Sequence, residues 1–314
     1  MTGQQSRAYF LPRDGLQREG LADARAALAA YEQAIRLRPD YAEAYSNRGN
    51  VRCNLGQYEA AIADYDEATR LRPDYAEAYS NRGNAKAALG RSQEAIRDFG
   101  LAIQVRPGYG LAFFNRGLVR WEVGAYGEAE DDFSEAVRLM PEFAHAYYQR
   151  GNARAALELY QEAVSDFSGA VRLDPDYAEA YNNRGSALVH LGHYEAAIAD
   201  YDQMIRLRPD FAEAYNNRGI AQAKLGRHGA AIADYDQAIR LHPERAEPYF
   251  NRGAAKDRQG NPEEAIADYD QAIMLMPDDV EAYRNRAVAK AALGRTAEAR
   301  ADFSAALEAV ARGG

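Results

Sequence analysis

The sequence predicts an all-α fold, a solenoid of stacked helical hairpins, and three regularities predict it. Pro39, Pro73, Pro107, Pro141, Pro175, Pro209, Pro243 and Pro277 recur every 34 residues without insertion or deletion. Gly56, Gly90, Gly124, Gly192, Gly226, Gly260 and Gly294 keep the same interval, and so in most copies does an Asn-Arg-Gly triplet. A unit of this length cannot bury its apolar face alone, so copies must stack on their neighbours.

The period sets the domain plan: a degenerate N-terminal segment with a half repeat, 1–41, then eight units, 42–75, 76–109, 110–143, 144–177, 178–211, 212–245, 246–279 and 280–313. In the half repeat a second helix is expected over Ala24–Leu37, while Pro12, Gly15 and Gly20 spoil the first. In the unit 42–75, Ala44, Tyr45, Gly49, Val51 and Leu55 follow helical spacing, so the first helix runs over Ala42–Leu55. Gly56 ends it, because glycine takes the left-handed conformation that closes a helix. The second helix is expected over Tyr58–Leu71, with Ala61, Ile62, Tyr65, Ala68 and Leu71 on one face and Pro73 as its stop. Short connectors make the two helices antiparallel neighbours. An Asp-x-x-Glu pair then reads as a capping box worth about 1 kcal/mol at Asp40/Glu43, Asp74/Glu77, Asp176/Glu179, Asp210/Glu213 and Asp278/Glu281. The last unit has Ala311 at the place of the closing proline and no polar capping helix, so the ends are expected to be adhesive.

Composition narrows function. A formal charge of −9 argues against nucleic acid and anionic membranes as partners. No apolar run is long enough to span a bilayer. The first residues lack a signal-peptide core, and the single cysteine, Cys53, permits no internal disulfide, so a cytoplasmic location is expected.

In 178–211 the residues Tyr181, Gly185, Leu191-Gly192, Tyr194, Ala197, Tyr201, Ile205 and Pro209 resemble the tetratricopeptide repeat family, and the likeness covers nearly all of 42–313. Pentatricopeptide repeats, which read RNA, differ by one residue in period and lack this framework. The resemblance implies a right-handed superhelix whose first helices line the concave side, and a function in binding other proteins.

Two charged rows run through the units. Arg48, Arg82, Arg116, Arg150, Arg184, Arg218, Arg252 and Arg286 each have an aspartate 16 residues later: Asp64, Asp98, Asp132, Asp166, Asp200, Asp234, Asp268 and Asp302. The half repeat holds Asp14 and Ala30 at these places. Joint loss is what a paired interaction predicts, so the rows read as ion pairs between helices, with an anion-binding arginine row as the alternative. Most tetratricopeptide repeats carry an apolar residue at the arginine place.

A third row, Asn47, Asn81, Asn115, Gln149, Asn183, Asn217, Asn251 and Asn285, lies away from the packing stripe. An amide donates and accepts at once, which suits the backbone of an extended peptide, and relatives with such a ladder hold peptides this way. The row equally suits amides bonded to a neighbouring repeat's backbone. Selective contacts are expected where units vary most, in 108–160. Leu111, Phe114, Leu118 and Trp121 form an apolar stripe, and His145, Tyr148 and Asn152 fall at matching places in the next unit. The alternative is a stripe packed on a distorted neighbour. Local rules relax there too: Glu158 stands where other units turn on glycine.

No nucleophile elbow, phosphate loop, dinucleotide fingerprint or paired-cysteine motif occurs, so no catalytic residue, cofactor or metal is assigned. His190, His193 and His228 are read as surface histidines, and Cys53 as a small filler. The lysine and arginine pairs with which chaperone-associated relatives grip a C-terminal carboxylate are missing, Arg284 excepted. The expected function is an interaction scaffold that clasps a partner's peptide. Alternatives are a self-assembling protein joined through its terminal repeats and a regulatory subunit of a separately encoded enzyme.

Overall fold

A computed structural model describes residues 18–313, and every regular element among them is an α-helix. The half repeat is α1 (Arg18–Leu37). It begins before the expected start and includes Gly20, whereas Pro12, Asp14 and Gly15 lie outside the described residues. The first helices of the units are α2 (Ala42–Asn54), α4 (Ala76–Ala88), α6 (Gly110–Glu122), α8 (Ala144–Ala156), α10 (Ala178–His190), α12 (Ala212–Lys224), α14 (Ala246–Arg258) and α16 (Val280–Ala292). Their partners are α3 (Tyr58–Leu71), α5 (Ser92–Val105), α7 (Tyr126–Leu139), α9 (Tyr160–Leu173), α11 (Tyr194–Leu207), α13 (His228–Leu241), α15 (Pro262–Leu275) and α17 (Thr296–Gly313). The chain divides into two compact units, Met1–Leu173 and Asp174–Gly314, and the division falls between hairpins rather than inside one.

One aromatic residue organises each hairpin. In the first unit the rings of Tyr65, Phe99, Phe133 and Phe167 are buried against Gly49, Gly83, Gly117 and Gly151. A Cβ on Gly49 would lie 2.7 Å from Tyr65 Cε1, so only glycine lets the ring reach the facing backbone. In the second unit Tyr201, Tyr235 and Tyr269 lie on Gly185, Gly219 and Gly253 in the same way. The following hairpin completes each core: Ala85 joins Ala61 and Tyr65, Val119 joins Ala95 and Phe99, and Ala221 joins Ala197 and Tyr201. Each unit is thus an α-solenoid, because the core of one hairpin is closed by the next. The last hairpin has Ala287 at the glycine place, and Phe303 is 44% exposed.

The turns inside hairpins form as expected. Gly56 has φ +73°, and the amides of Gly56 and Gln57 donate to the carbonyls of Cys53 (2.9 Å) and Arg52 (2.8 Å). Glu158 keeps this turn at φ +61°, with Leu159 N donating to Arg154 O at 2.8 Å. A side chain held there costs roughly 1 kcal/mol. Glu158→Gly is therefore expected to stabilise hairpin α8–α9 by about that amount, read as slower amide exchange in those helices; unchanged exchange would show the turn to be unstrained.

The expected capping boxes do not form. At Asp40, Asp74, Asp176 and Asp210 the helix starts one residue later, with Tyr41, Tyr75, Tyr177 or Phe211 at the N-cap and no side-chain cap bond. Pro39 and Asp40 occupy the middle of a four-residue turn closed by Tyr41 N donating to Arg38 O (3.2 Å), which pushes aspartate out of the capping position. The freed glutamates pair within their own hairpins instead, with the arginine that follows the second helix: Glu43 with Arg72 (2.6 Å), Glu77 with Arg106 (2.7 Å) and Glu179 with Arg208. Before α16 the N-cap is Asp279, not Asp278, and it accepts from the amides of Glu281 (3.0 Å) and Ala282 (3.1 Å).

Candidate functional site

The arginine and aspartate rows form eight ion pairs. Arg116 Nε and Nη2 meet the Asp132 carboxylate at 3.0 and 2.7 Å, and Arg184 meets Asp200 at 2.8 and 2.6 Å. Each guanidinium also lies over the ring three residues earlier, 5.3 Å away for Arg82 on Tyr79 and 5.6 Å for Arg116 on Phe113. A planar fork committed on its edge and its face belongs to the scaffold.

A further row was not singled out from the sequence. One turn after the arginine, a second cation reaches the same buried aspartate: Arg52 on Asp64 (2.8 Å), Lys86 on Asp98 (2.8 Å), Arg120 on Asp132 (2.7 Å), Arg154 on Asp166 (2.8 Å), Lys256 on Asp268 (2.9 Å) and Lys290 on Asp302 (2.9 Å). Leu188 and Gln222 interrupt it. Its 34-residue recurrence was the available signal. Arg82, Arg218, Arg252 and Arg286 also bridge back to Asp66, Asp202, Asp236 and Asp270 at 2.5–2.7 Å. For Arg116 and Arg150 the preceding helix offers Gly100 and Ser134 instead. There Glu130, at a place that is otherwise mostly Ile, binds Arg154 at 2.8 Å and links α7 to α8.

Burial alone would raise the Asp302 carboxyl, but bonds from Arg286 and Lys290 outweigh it and hold it below the usual carboxylate range. A depressed folded-state pKa contributes stability that is complete above the unfolded value and is lost as pH falls through the folded one. Amide protection in α16–α17 is therefore expected to decline on acidification from the ordinary aspartate range downward. Asp302→Asn lacks this component, so hydrogen exchange of the two proteins should converge at low pH; a constant difference would exclude Asp302 as its source.

The amide row is a ladder between neighbours, and its acceptor changes along the chain. In the first unit Asn81 Nδ2 donates to Asn50 Oδ1 (2.9 Å) and Asn115 Nδ2 to Asn84 Oδ1 (3.1 Å). In the second, Asn217 donates to Asn182 (3.4 Å) and Asn251 to Asn216 (3.0 Å). Ser186 and Ile220 stand where the first unit carries Asn50 and Asn84, and the acceptor moves back one turn along the same face of the first helix. Side chains, not backbone, accept these bonds. Asn47 is exposed, Asn183 receives a bond from Asn182 Nδ2 (3.2 Å), and Asn285 pairs with the Tyr269 hydroxyl. Gln149 is buried and accepts from Asn152 Nδ2 (3.2 Å).

The apolar stripe divides. Phe114 and Leu118 are only 3% and 1% exposed, inside a core with Phe133, Val137 and Ala146. The Phe114 ring lies 4.9 Å from Phe143 and 5.8 Å from Phe133. They pack between hairpins. Leu111 is 46% exposed, and Trp121 is half-buried with its ring 4.8 Å from Tyr126. His145 stacks on Phe143 and Tyr148 leans on Phe167, both half-buried. Burial pushes the Cys53 thiol up, against a bond from the Tyr65 hydroxyl. Among the described residues no cluster of His, Cys, Asp or Glu could hold a metal ion, and no helix is long and apolar enough to cross a membrane.

A TPR repeat family model matches residues 25–55, 49–90, 153–192, 185–226 and 258–294, more than half of the chain. The chain belongs to the tetratricopeptide repeat family. Further tetratricopeptide repeat models match 81–142 and 212–245. Among solved tetratricopeptide folds, YrrB, described as a TPR protein with an unusual peptide-binding site, is 25% identical over 59% of this chain and 95% of its own, with a TM-score of 0.52. A MamA protein is 25% identical over 55% and 94%, with a TM-score of 0.52. A tetratricopeptide repeat protein from Parabacteroides merdae ATCC 43184 shares the fold over 83% of this chain and 99% of its own, at 20% identity and a TM-score of 0.55. No curated protein matches this tetratricopeptide chain by sequence. The tetratricopeptide fold is typically a non-catalytic scaffold for protein interactions.

Proposed function

We propose that this chain is an interaction scaffold that holds a peptide segment of a partner protein against its first helices, with selectivity at α6 and α8. The observation that carries this reading is a substitution in one row. Six units carry glutamate at the second residue of the first helix, and α6 and α8 carry Leu111 and His145 there instead. This replaces a carboxylate with an apolar side chain on α6 and an aromatic ring on the adjacent α8, beside Tyr148. Asn81 and Asn115 support it, because the ladder uses one amide hydrogen of each and leaves a second for a peptide carbonyl. Trp121 contributes at the end of α6.

Peptide arrays followed by titration calorimetry test this. Leu111→Glu with Tyr148→Ala is expected to weaken binding about tenfold or more with folding intact. Undiminished affinity would remove the assigned surface. Phe114→Ala would not serve, since emptying a core ring costs roughly 3–5 kcal/mol by itself.

A second reading, self-association, is favoured by α17. Phe303 and Leu307 are 44% and 72% exposed, while their counterparts Tyr269 and Ile273 are covered by α16. Sedimentation velocity across concentrations decides it. A dimer dispersed by Leu307→Glu supports association, and a monomer throughout ends it. A regulatory subunit would be the first reading with an enzyme as partner.

A further inference from the structure

The edge formed by the turns of hairpins α6–α7 and α8–α9 differs from the same edge elsewhere. Val123 and Leu159 are 47% and 43% exposed there, and Tyr126 and Leu157 are exposed beside them. At the place of Leu159 other units hold Gln57, Arg91, His193, Arg227, Asn261 and Arg295, with Ala125 the other apolar exception. Several apolar side chains on one exposed edge mark an interaction surface rather than scattered exposure. Trp121 rests on Tyr126, and Glu158 keeps the positive-φ turn that carries Leu157 and Leu159.

Its charge selects the occupant. Residues 121–130 and 155–163 contain no lysine or arginine, and Glu122, Glu128, Glu158 and Glu162 rim the apolar centre. The nearest cations are already paired: Arg120 with buried Asp132 and with Glu128 of the rim, and Arg154 with Glu130 and Asp166. The geometry points to a second docking surface on this edge, which takes a segment of a partner protein with apolar side chains flanked by lysine or arginine. Anionic lipid and nucleic-acid phosphates meet the same acidic rim and are repelled. This surface adjoins the Leu111 and Tyr148 surface on the first helices, with Trp121 between them, and rests on different apolar side chains.

The test uses the full chain and short synthetic peptides of one apolar pattern, made in lysine-flanked and glutamate-flanked forms and followed by Trp121 fluorescence. The variant Val123→Gln/Leu159→Gln takes its residues from other units of this chain, Gln259 and Gln57, so folding is preserved and the melting temperature checks it. Lysine-flanked peptides are expected to bind at least about tenfold more tightly than glutamate-flanked ones, and the variant to lose that binding about tenfold while Leu111→Glu keeps it. Several results overturn the proposal: no binding by either form, equal binding of both, or loss in Leu111→Glu rather than in the edge variant or equally in both. Binding to phosphatidylserine vesicles that the edge variant abolishes would assign the surface to lipid, and a dimer that it disperses would assign it to a second copy. Loss in Leu111→Glu alone would leave the first-helix reading standing and remove only this one.

Discussion

Arg184→Ala is expected to cost hairpin α10–α11 about 3–5 kcal/mol, the penalty for stranding one partner of a buried ion pair. Asp200 is buried, and Arg184 is the cation bonded to it, because Leu188 stands where six other units place a second cation. Arg116→Ala should cost clearly less, since Arg120 remains on Asp132 at 2.7 Å. Stability in a repeat array is local, so the two variants are best compared by hydrogen exchange in α10–α11 and α6–α7, with thermal melting as the global check. Equal losses would show that the second cation does not compensate the aspartate. Peptide specificity should survive Arg184→Ala. Loss of binding with unchanged stability would return the arginine row to its alternative role as an anion site.

Gly219→Ala is expected to destabilise the second unit by about 1–3 kcal/mol, the usual cost of overpacking a filled core. The added Cβ would lie 2.6 Å from Tyr235 Cε1, nearer than any real contact allows. The ring is buried and cannot retreat without opening the space it shares with Ala231 and Ala255. Tyr235→Leu should absorb most of the penalty, so the double variant should be less destabilised than the two single losses combined. Urea unfolding measures this, and strict additivity would mean that ring and glycine are not coupled.

The 34-residue period was enough to fix the helix pairs to within a residue, as in Tyr58–Leu71, and the positive-φ turn at Gly56 and its counterparts. It also exposed the Arg–Asp pairing, through the joint loss of both residues in the half repeat. These features are local or recur with every neighbour, so repetition writes them into the sequence eight times. Packing decided the rest. The Pro-Asp turn displaced the expected caps, a choice between two competing local structures that share the same residues. Phe114 and Leu118 went inward because Phe143 and Phe133 offered them a ring-lined space, which helical spacing alone cannot reveal. The amide ladder changed its acceptor from Asn50 and Asn84 to Asn182 and Asn216, and the second cation closed on the buried aspartate. Periodicity says which residues share a face, whereas the neighbour across that face determines whether it meets protein or water.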